Sequence, residues 1–195
     1  CLITALLAML GISLLPAGAA TLFPVVVADR HGFVDKSGSL VINPQFERAG
    51  NFSGDLAEIR LSKWGYVDKA GKLAINPQFD EAGPFSGGLA AVKMGGRYGY
   101  VNEEGKYTIN PQFDDAGRFS EGRAVIKLAR RFGYVDKTGN IVVNPQFQSA
   151  GDFSEGLAAV ELASRFGFID PAGKIVINPQ FEKAGAFSDE LAAFR

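Results

Sequence analysis

A few residues in this chain have the types that do chemistry. His31 is the single histidine and could act as a general base or a metal ligand. Acid pairs stand at Asp80-Glu81 and Asp114-Asp115, and glycoside hydrolysis uses two carboxylates a few ångströms apart across one bond. Asp35, Asp68, Asp136 and Asp170 each precede a glycine by three positions, which raises the question of calcium; Asn102 holds the same place in a fifth copy. None of these develops into a site. No nucleophile elbow accompanies His31. The positions equivalent to the acid pairs hold Glu47-Arg48, Gln148-Ser149 and Glu182-Lys183, so the acids vary as exposed turn residues do. A calcium loop needs several oxygen ligands and a distal glutamate, whereas each Asp-x-x-Gly offers one carboxylate. The expectation is therefore a non-enzymatic protein with no catalytic, metal or cofactor residue.

The aromatic residues are the stronger candidates. Trp64, Tyr98, Phe132 and Phe166 form one column across the repeats, and Phe33, Tyr66, Tyr100, Tyr134 and Phe168 form another. Each pair is separated by one glycine. On a strand, residues i and i+2 face the same way, so both columns share a face. The glycine between them leaves the opposite side open to a neighbouring backbone. An exposed ladder of such rings could stack on sugars or hold a peptide; a buried one would be core. Trp64, Tyr66, Tyr98, Tyr100 and Tyr134 are the candidate ligand contacts. The tyrosine column is the better binding candidate because its hydroxyls need partners.

These residues are positioned by an internal repeat. Asn-Pro-Gln-Phe begins at Asn43, Asn76, Asn110, Asn144 and Asn178, at spacings of 33, 34, 34 and 34 residues. The short first unit loses its residue between Ser53 and Trp64. Within a unit, "LAAVKM", "RYGYVN" and "KYTIN" read as strands from their alternation and their aromatic and β-branched content. "GGR" and "ARR" suit a tight hairpin. "DKSG", "DKAG", "NEEG", "DKTG" and "DPAG" describe a type I turn closed by a left-handed glycine. "NPQFDEAG" reads as one short helical turn, with an extended edge segment as the rival. Ser53, Ser86, Ser120, Ser154 and Ser188 each follow a phenylalanine and lead into the next strand.

One such unit has too few apolar residues to fold alone. Its rings need a neighbour's apolar face, so identical units meet at identical interfaces. The fold expectation is all-β: tandem units of roughly 34 residues, each a three-stranded antiparallel meander, in an open solenoid-like array. A propeller-like closed ring is the alternative.

The pattern resembles the WG-repeat (KWG) family of bacterial proteins. The residues that carry it are Lys63-Trp64-Gly65-Tyr66-Val67-Asp68, Gly71-Lys72, Pro77-Gln78-Phe79 and Phe85-Ser86-Gly87-Gly88-Leu89-Ala90-Ala91-Val92. The resemblance covers nearly all of residues 22–195. It departs from the family in keeping tryptophan only at Trp64. It implies an all-β repeat protein, often exported, with no established catalytic residues.

Ahead of the repeats, residues 2–15 are almost wholly apolar, then Pro16 and Ala17-Gly18-Ala19 follow. That is the pattern of a secretory signal and its cleavage site, with a membrane anchor as the rival. Residues 1–20 are thus expected to be a truncated signal or anchor, and residues 21–195 an array of about five units with the last incomplete. The expected location is the periplasm, cell surface or exterior, with membrane attachment only through an uncleaved N-terminal segment. Lys plus Arg number 20 against 21 Asp plus Glu, so no basic stripe supports nucleic-acid binding. The expected function is a binding or scaffold module of the bacterial envelope, engaging protein or glycan through a repetitive β surface. The alternative is a targeting segment of an enzyme whose catalytic domain lies beyond Arg195.

Overall fold

A computed structural model describes residues 21–195; the expected signal or anchor at residues 1–20 lies outside the described residues. Among the described residues there are strands and turns but no helix. The first sheet is β1 (Phe23–Val27), β2 (Arg30–Val34) and β3 (Leu40–Phe46). The second is β4 (Arg48–Ala49), β5 (Leu56–Leu61), β6 (Lys63–Asp68) and β7 (Leu73–Phe79). The third is β8 (Glu81–Ala82), β9 (Ala90–Met94), β10 (Arg97–Val101) and β11 (Tyr107–Phe113). The fourth is β12 (Asp115–Ser120), β13 (Arg123–Leu128), β14 (Arg131–Asp136) and β15 (Ile141–Phe147). The fifth is β16 (Ser149–Ala150), β17 (Ala158–Leu162), β18 (Arg165–Ile169) and β19 (Ile175–Phe181), and β20 (Ala184–Ser188) with β21 (Leu191–Phe194) ends the series. Every sheet is an antiparallel meander whose strands neighbour in chain order.

The expected three-stranded meander is present in the first five sheets, whereas β20 and β21 form a two-stranded sheet; four of the five add one strand to the meander. That strand is made by the segment after Asn-Pro-Gln-Phe, which leaves the far edge of one sheet and pairs on the near edge of the next. The Asn-Pro-Gln-Phe segment itself is not a helical turn. It forms the second half of β3, β7, β11, β15 and β19, so the edge-strand reading holds. The reason lies in the register. Trp64 pairs with Phe79 and Tyr66 with Ile75, leaving Asn76, Pro77 and Gln78 to bulge across Gly65. Proline lacks a ladder donor and is accommodated at such an edge bulge.

The core lies between sheets rather than within any one of them. Leu56, Tyr66, Ile75 and Phe79 of the second sheet pack on Phe85, Ala90, Val92 and Val101 of the third. Tyr100, Ile109 and Phe113 of the third pack in turn on Phe119, Ala124, Ile126 and Val135 of the fourth. The same arrangement joins the first sheet to the second and the fourth to the fifth. Ala90 and Ala91 are both buried, one on each face of β9, which is why this strand is apolar on both sides. The array is open. Its first face exposes Phe23 and Val27, and its last exposes Leu191 at 76% and Phe194 at 67%.

Two hydrogen-bond ladders tie the stack together. Ser53, Ser86, Ser120 and Ser154 each donate through Oγ to the carbonyl of the phenylalanine before the next copy's serine, at 2.5–2.8 Å. Tyr66, Tyr100 and Tyr134 donate to the carbonyls of Gly83, Gly117 and Gly151 at 2.7–2.8 Å. The Asp-x-x-Gly turns form as expected. Gly71 N–H donates to the Asp68 carbonyl at 3.0 Å, and the Asp68 carboxylate accepts from Ala70 and Lys72 N–H. In the copy at Asp136, the Thr138 hydroxyl and Asn140 help hold the carboxyl at about 2, below the usual range.

Glu58 breaks the pattern of the β5 face. Ala91, Val125 and Ala159 occupy the equivalent position in the following copies, and there the side chain is apolar. Oε2 of Glu58 is buried without a hydrogen-bond partner. Burial raises its carboxyl above the usual glutamate range, so the fold favours the protonated form. The penalty is absent below the unfolded pKa, about 4.3, grows as pH rises from there to the raised value, and keeps its full size above it. Glu58→Ala should therefore stabilise the protein by about 1 kcal/mol at neutral pH and by less at pH 4. Thermal denaturation of both chains at the two pH values checks this, and an equal gain at each pH would be the wrong result.

Candidate functional site

The aromatic columns divide by burial. Tyr66, Tyr100 and Tyr134 have no exposed surface. Their rings pack at a tilt against Phe85, Phe119 and Phe153 of the next unit at centroid distances of 4.7–4.9 Å. Their hydroxyls are satisfied by the glycine carbonyls. This corrects the expectation that the tyrosine column offers the better ligand contacts: the partners its hydroxyls need are inside the stack. Phe33 and Phe168 fill the same slot without a hydroxyl and pack against Phe52 and Phe187 at centroid distances of 4.8 and 4.9 Å, the second pair edge to face.

Trp64 and Tyr98 belong to the other column, with Phe132 and Phe166. All four are half-buried near the start of β6, β10, β14 and β18, beside the hairpin that joins each of these strands to the one before it. His31 holds this slot in the first copy, in register with Phe46 as Trp64 is with Phe79. It is a strand residue in a ring position, and among the described residues no three metal-ligating side chains converge.

Around this column the sheet register builds rows that cross three strands. Glu81 pairs with Lys93, and Lys93 with Tyr98. In the next sheet Asp115 pairs with Lys127, and Lys127 with Phe132. Lys93 Nζ lies 5.1 Å from the Tyr98 ring centre and Lys127 Nζ lies 5.0 Å from that of Phe132, both cation–π distances. Glu81 accepts from Lys93 at 2.7 Å and from the Tyr98 hydroxyl. Lys93 and then Tyr98 hold the Glu81 carboxyl below the usual range, while desolvation first and Glu81 second raise the Tyr98 phenol. The outer copies keep the geometry with different chemistry: Arg48, Arg60 and Trp64 before, Ser149, Glu161 and Phe166 after.

Between the third and fourth sheets these rows border an open groove of about 500 Å³. Glu81, Lys93, Tyr98, Asp114, Asp115, Lys127 and Arg130 line it. A smaller recess of about 210 Å³ continues past Asp115 and Lys127 to Phe132 and Asp152. Asp80 and Asp114, weighed above as acid-pair members, act as clips. Asp80 pairs with Lys63 of the preceding sheet and accepts from Gly95 N–H of its own hairpin. Asp114 pairs with Arg97 and accepts from Ala129 N–H in the same way. The register rows of acid, cation and ring were not read from the sequence. Lys93 and Lys127 stand at equal offsets before Tyr98 and Phe132, and that spacing was the available signal.

An open stack of antiparallel meander sheets, cemented by recurring rings and lacking helices among its described residues, defines a tandem β-repeat protein. The chain belongs to the WG containing repeat family, with successive matches over residues 32–63, 64–98, 98–129, 132–164 and 166–195. No curated protein matches it. Among solved structures, a crystal structure of the eukaryotic initiation factor is similar at a TM-score of 0.56 and 14% identity. That likeness covers 86% of this chain, which spans about half (54%) of the other. PorZ, a bacterial surface component of the type-IX secretion system of Porphyromonas gingivalis, matches at a TM-score of 0.43 and 10% identity, over 89% of this chain and 28% of that one.

Proposed function

We propose that this chain is a non-enzymatic binding module of the bacterial cell envelope that engages an extended protein or glycan ligand along the ring rows. The observation that carries the reading is the recurrence, at every inter-sheet step, of a half-exposed ring beside polar groups in fixed register. A half-exposed ring offers a stacking face, and the adjoining carboxylates and ammonium groups offer hydrogen bonds to hydroxyls or amides. The engagement of Asp80 and Asp114 by cations and turn amides supports a structural role for both carboxylates. The apolar run of residues 2–15 supports an exported location. A repeated low-affinity step gains strength when one ligand spans several sheets.

The test is a pull-down from envelope fractions together with a glycan panel. Tyr98→Ala and Phe132→Ala should each weaken capture by roughly tenfold, the effect of losing about 1–1.5 kcal/mol of ring contact. Circular dichroism should leave the fold unchanged, because both rings are only half-buried. Unaltered capture by the double variant would overturn the reading. Hydrolysis of any panel glycan would favour an enzyme instead.

A further inference from the structure

The opposite end of the strands carries a second recurring device. In each sheet after the first, a two-residue turn that follows the serine leads into the second strand. Four of these turns are Gly87-Gly88, Glu121-Gly122, Glu155-Gly156 and Asp189-Glu190, and in all four both residues take positive φ, as with Glu121 at 49° and Gly122 at 76°. Successive N–H groups in such a turn form a concavity that suits an anion.

In the last two copies this concavity is filled from within the chain. The Glu155 carboxylate accepts from Asp189 N–H at 2.8 Å through one oxygen and from Glu190 N–H at 2.9 Å through the other. Glu121 accepts from Gly156 N–H at 2.9 Å. The filling group is always the first residue of the preceding turn. One step earlier that residue is Gly87, which has no side chain to offer. The N–H groups of Glu121 and Gly122 accordingly have no partner among the described residues. Beside the gap stands an exposed cation: Lys137 Nζ lies 3.0 Å from where a Cβ on Gly87 would be. Arg123, whose guanidinium donates to the Gly122 carbonyl at 3.2 Å, adds a second positive charge at the turn.

We infer that the Glu121-Gly122 turn, with Lys137, is a docking site for a carboxylate side chain of an acidic partner segment. The chain itself demonstrates the chemistry, because its own glutamates occupy the equivalent turns two copies in succession. The partner supplies in trans the group that Gly87 cannot supply in cis. A carboxylate held by backbone donors and an ammonium makes charge-assisted hydrogen bonds, and it weakens with added salt. This site does not depend on the ring rows, which lie at the other end of the strands.

The experiment is a ¹H–¹⁵N titration of the whole chain with sodium acetate and, separately, with tetraglutamate peptide. Saturable shifts are expected at the Glu121 and Gly122 amides. None is expected at Gly156, Asp189 and Glu190, whose donors are occupied. Lys137→Ala should weaken tetraglutamate by about threefold, the worth of an exposed ion pair. Gly87→Glu should abolish the response by supplying the carboxylate internally; glutamate already stands at this turn position, with positive φ, in two later copies. Should that variant fail to fold, Glu155→Ala gives the reciprocal test: it empties the next occupied turn and should make the Asp189 and Glu190 amides respond to acetate. Absence of saturable shifts at Glu121 and Gly122, or equal shifts at the occupied turns, would overturn the proposal.

Discussion

Replacing Gly99 with alanine should destabilise the protein by about 3 kcal/mol or more, enough to disrupt the third sheet. A Cβ built there meets the Ile109 carbonyl oxygen at 2.5 Å and the Pro111 nitrogen at 2.7 Å. Both are backbone atoms, so no side chain can swing aside. They belong to the bulge that Asn110-Pro111-Gln112 makes across the middle strand, between the pairs Tyr98–Phe113 and Tyr100–Ile109. The same close approach recurs at Gly32, Gly65, Gly133 and Gly167. The Gly between the aromatics and the Asn-Pro-Gln segment are thus two halves of one contact: one surrenders a side chain, the other an amide hydrogen and the ladder register. A control is available at Gly83, where an added Cβ meets nothing closer than the Ala91 carbonyl at 3.7 Å. Gly83→Ala should cost less than about 1 kcal/mol, with urea unfolding followed by circular dichroism as the measurement. Equal losses at the two positions would mean that backbone freedom, not the crossing strand, is what Gly99 provides.

This pairing also marks how far the sequence could be read. The repeat, the strands, the Asp-x-x-Gly turns and the need for neighbouring units were legible, because each follows from local chemistry or from periodicity. The close approach at the glycine was legible as a possibility. Its occupant was not, since nothing in Asn-Pro-Gln-Phe announces that it will bulge toward a glycine eleven residues earlier in its own sheet. Asparagine followed by proline imitates a helix start, and only the strand register removes that reading. The short fourth strand escaped for a related reason: Glu81–Ala82 is two residues long and pairs with a strand of the next unit. A pattern confined to one unit cannot disclose it.

The burial of the tyrosine column was the least legible feature, because a Tyr hydroxyl fits a wet groove and a satisfied core equally well. Its partner, a glycine carbonyl 17 residues onward, carries no side-chain signature. Of the candidate contacts, Tyr66, Tyr100 and Tyr134 are thus core, while Trp64 and Tyr98, two residues earlier on the same strands, stay half-buried in one column with Phe132 and Phe166. Residues i and i+2 do share a face, as expected. What separates them is depth: the first sits where the strand end meets solvent, the second where the next sheet covers it.

A pair of substitutions at Tyr100 tests that depth directly. Tyr100→Ala should destabilise by about 3–5 kcal/mol, because it deletes a fully buried ring and leaves a cavity against Phe119. Tyr100→Phe should cost only about 1 kcal/mol, the net worth of the hydrogen bond to the Gly117 carbonyl. Phe33 and Phe168 already demonstrate that a hydroxyl-free ring fits this slot, at centroid distances of 4.8 and 4.9 Å from their partners. The loss in the alanine variant should spread beyond one unit, since that ring lies in the interface between the third and fourth sheets and neighbouring units fold cooperatively. Hydrogen exchange would register it as lowered protection on both β10 and β13. Ligand capture should be unchanged in Tyr100→Phe, because the hydroxyl faces inward. A Tyr100→Ala protein that kept its melting temperature but lost its ligand would instead return the tyrosine column to the surface, and with it the assignment of the inter-sheet core.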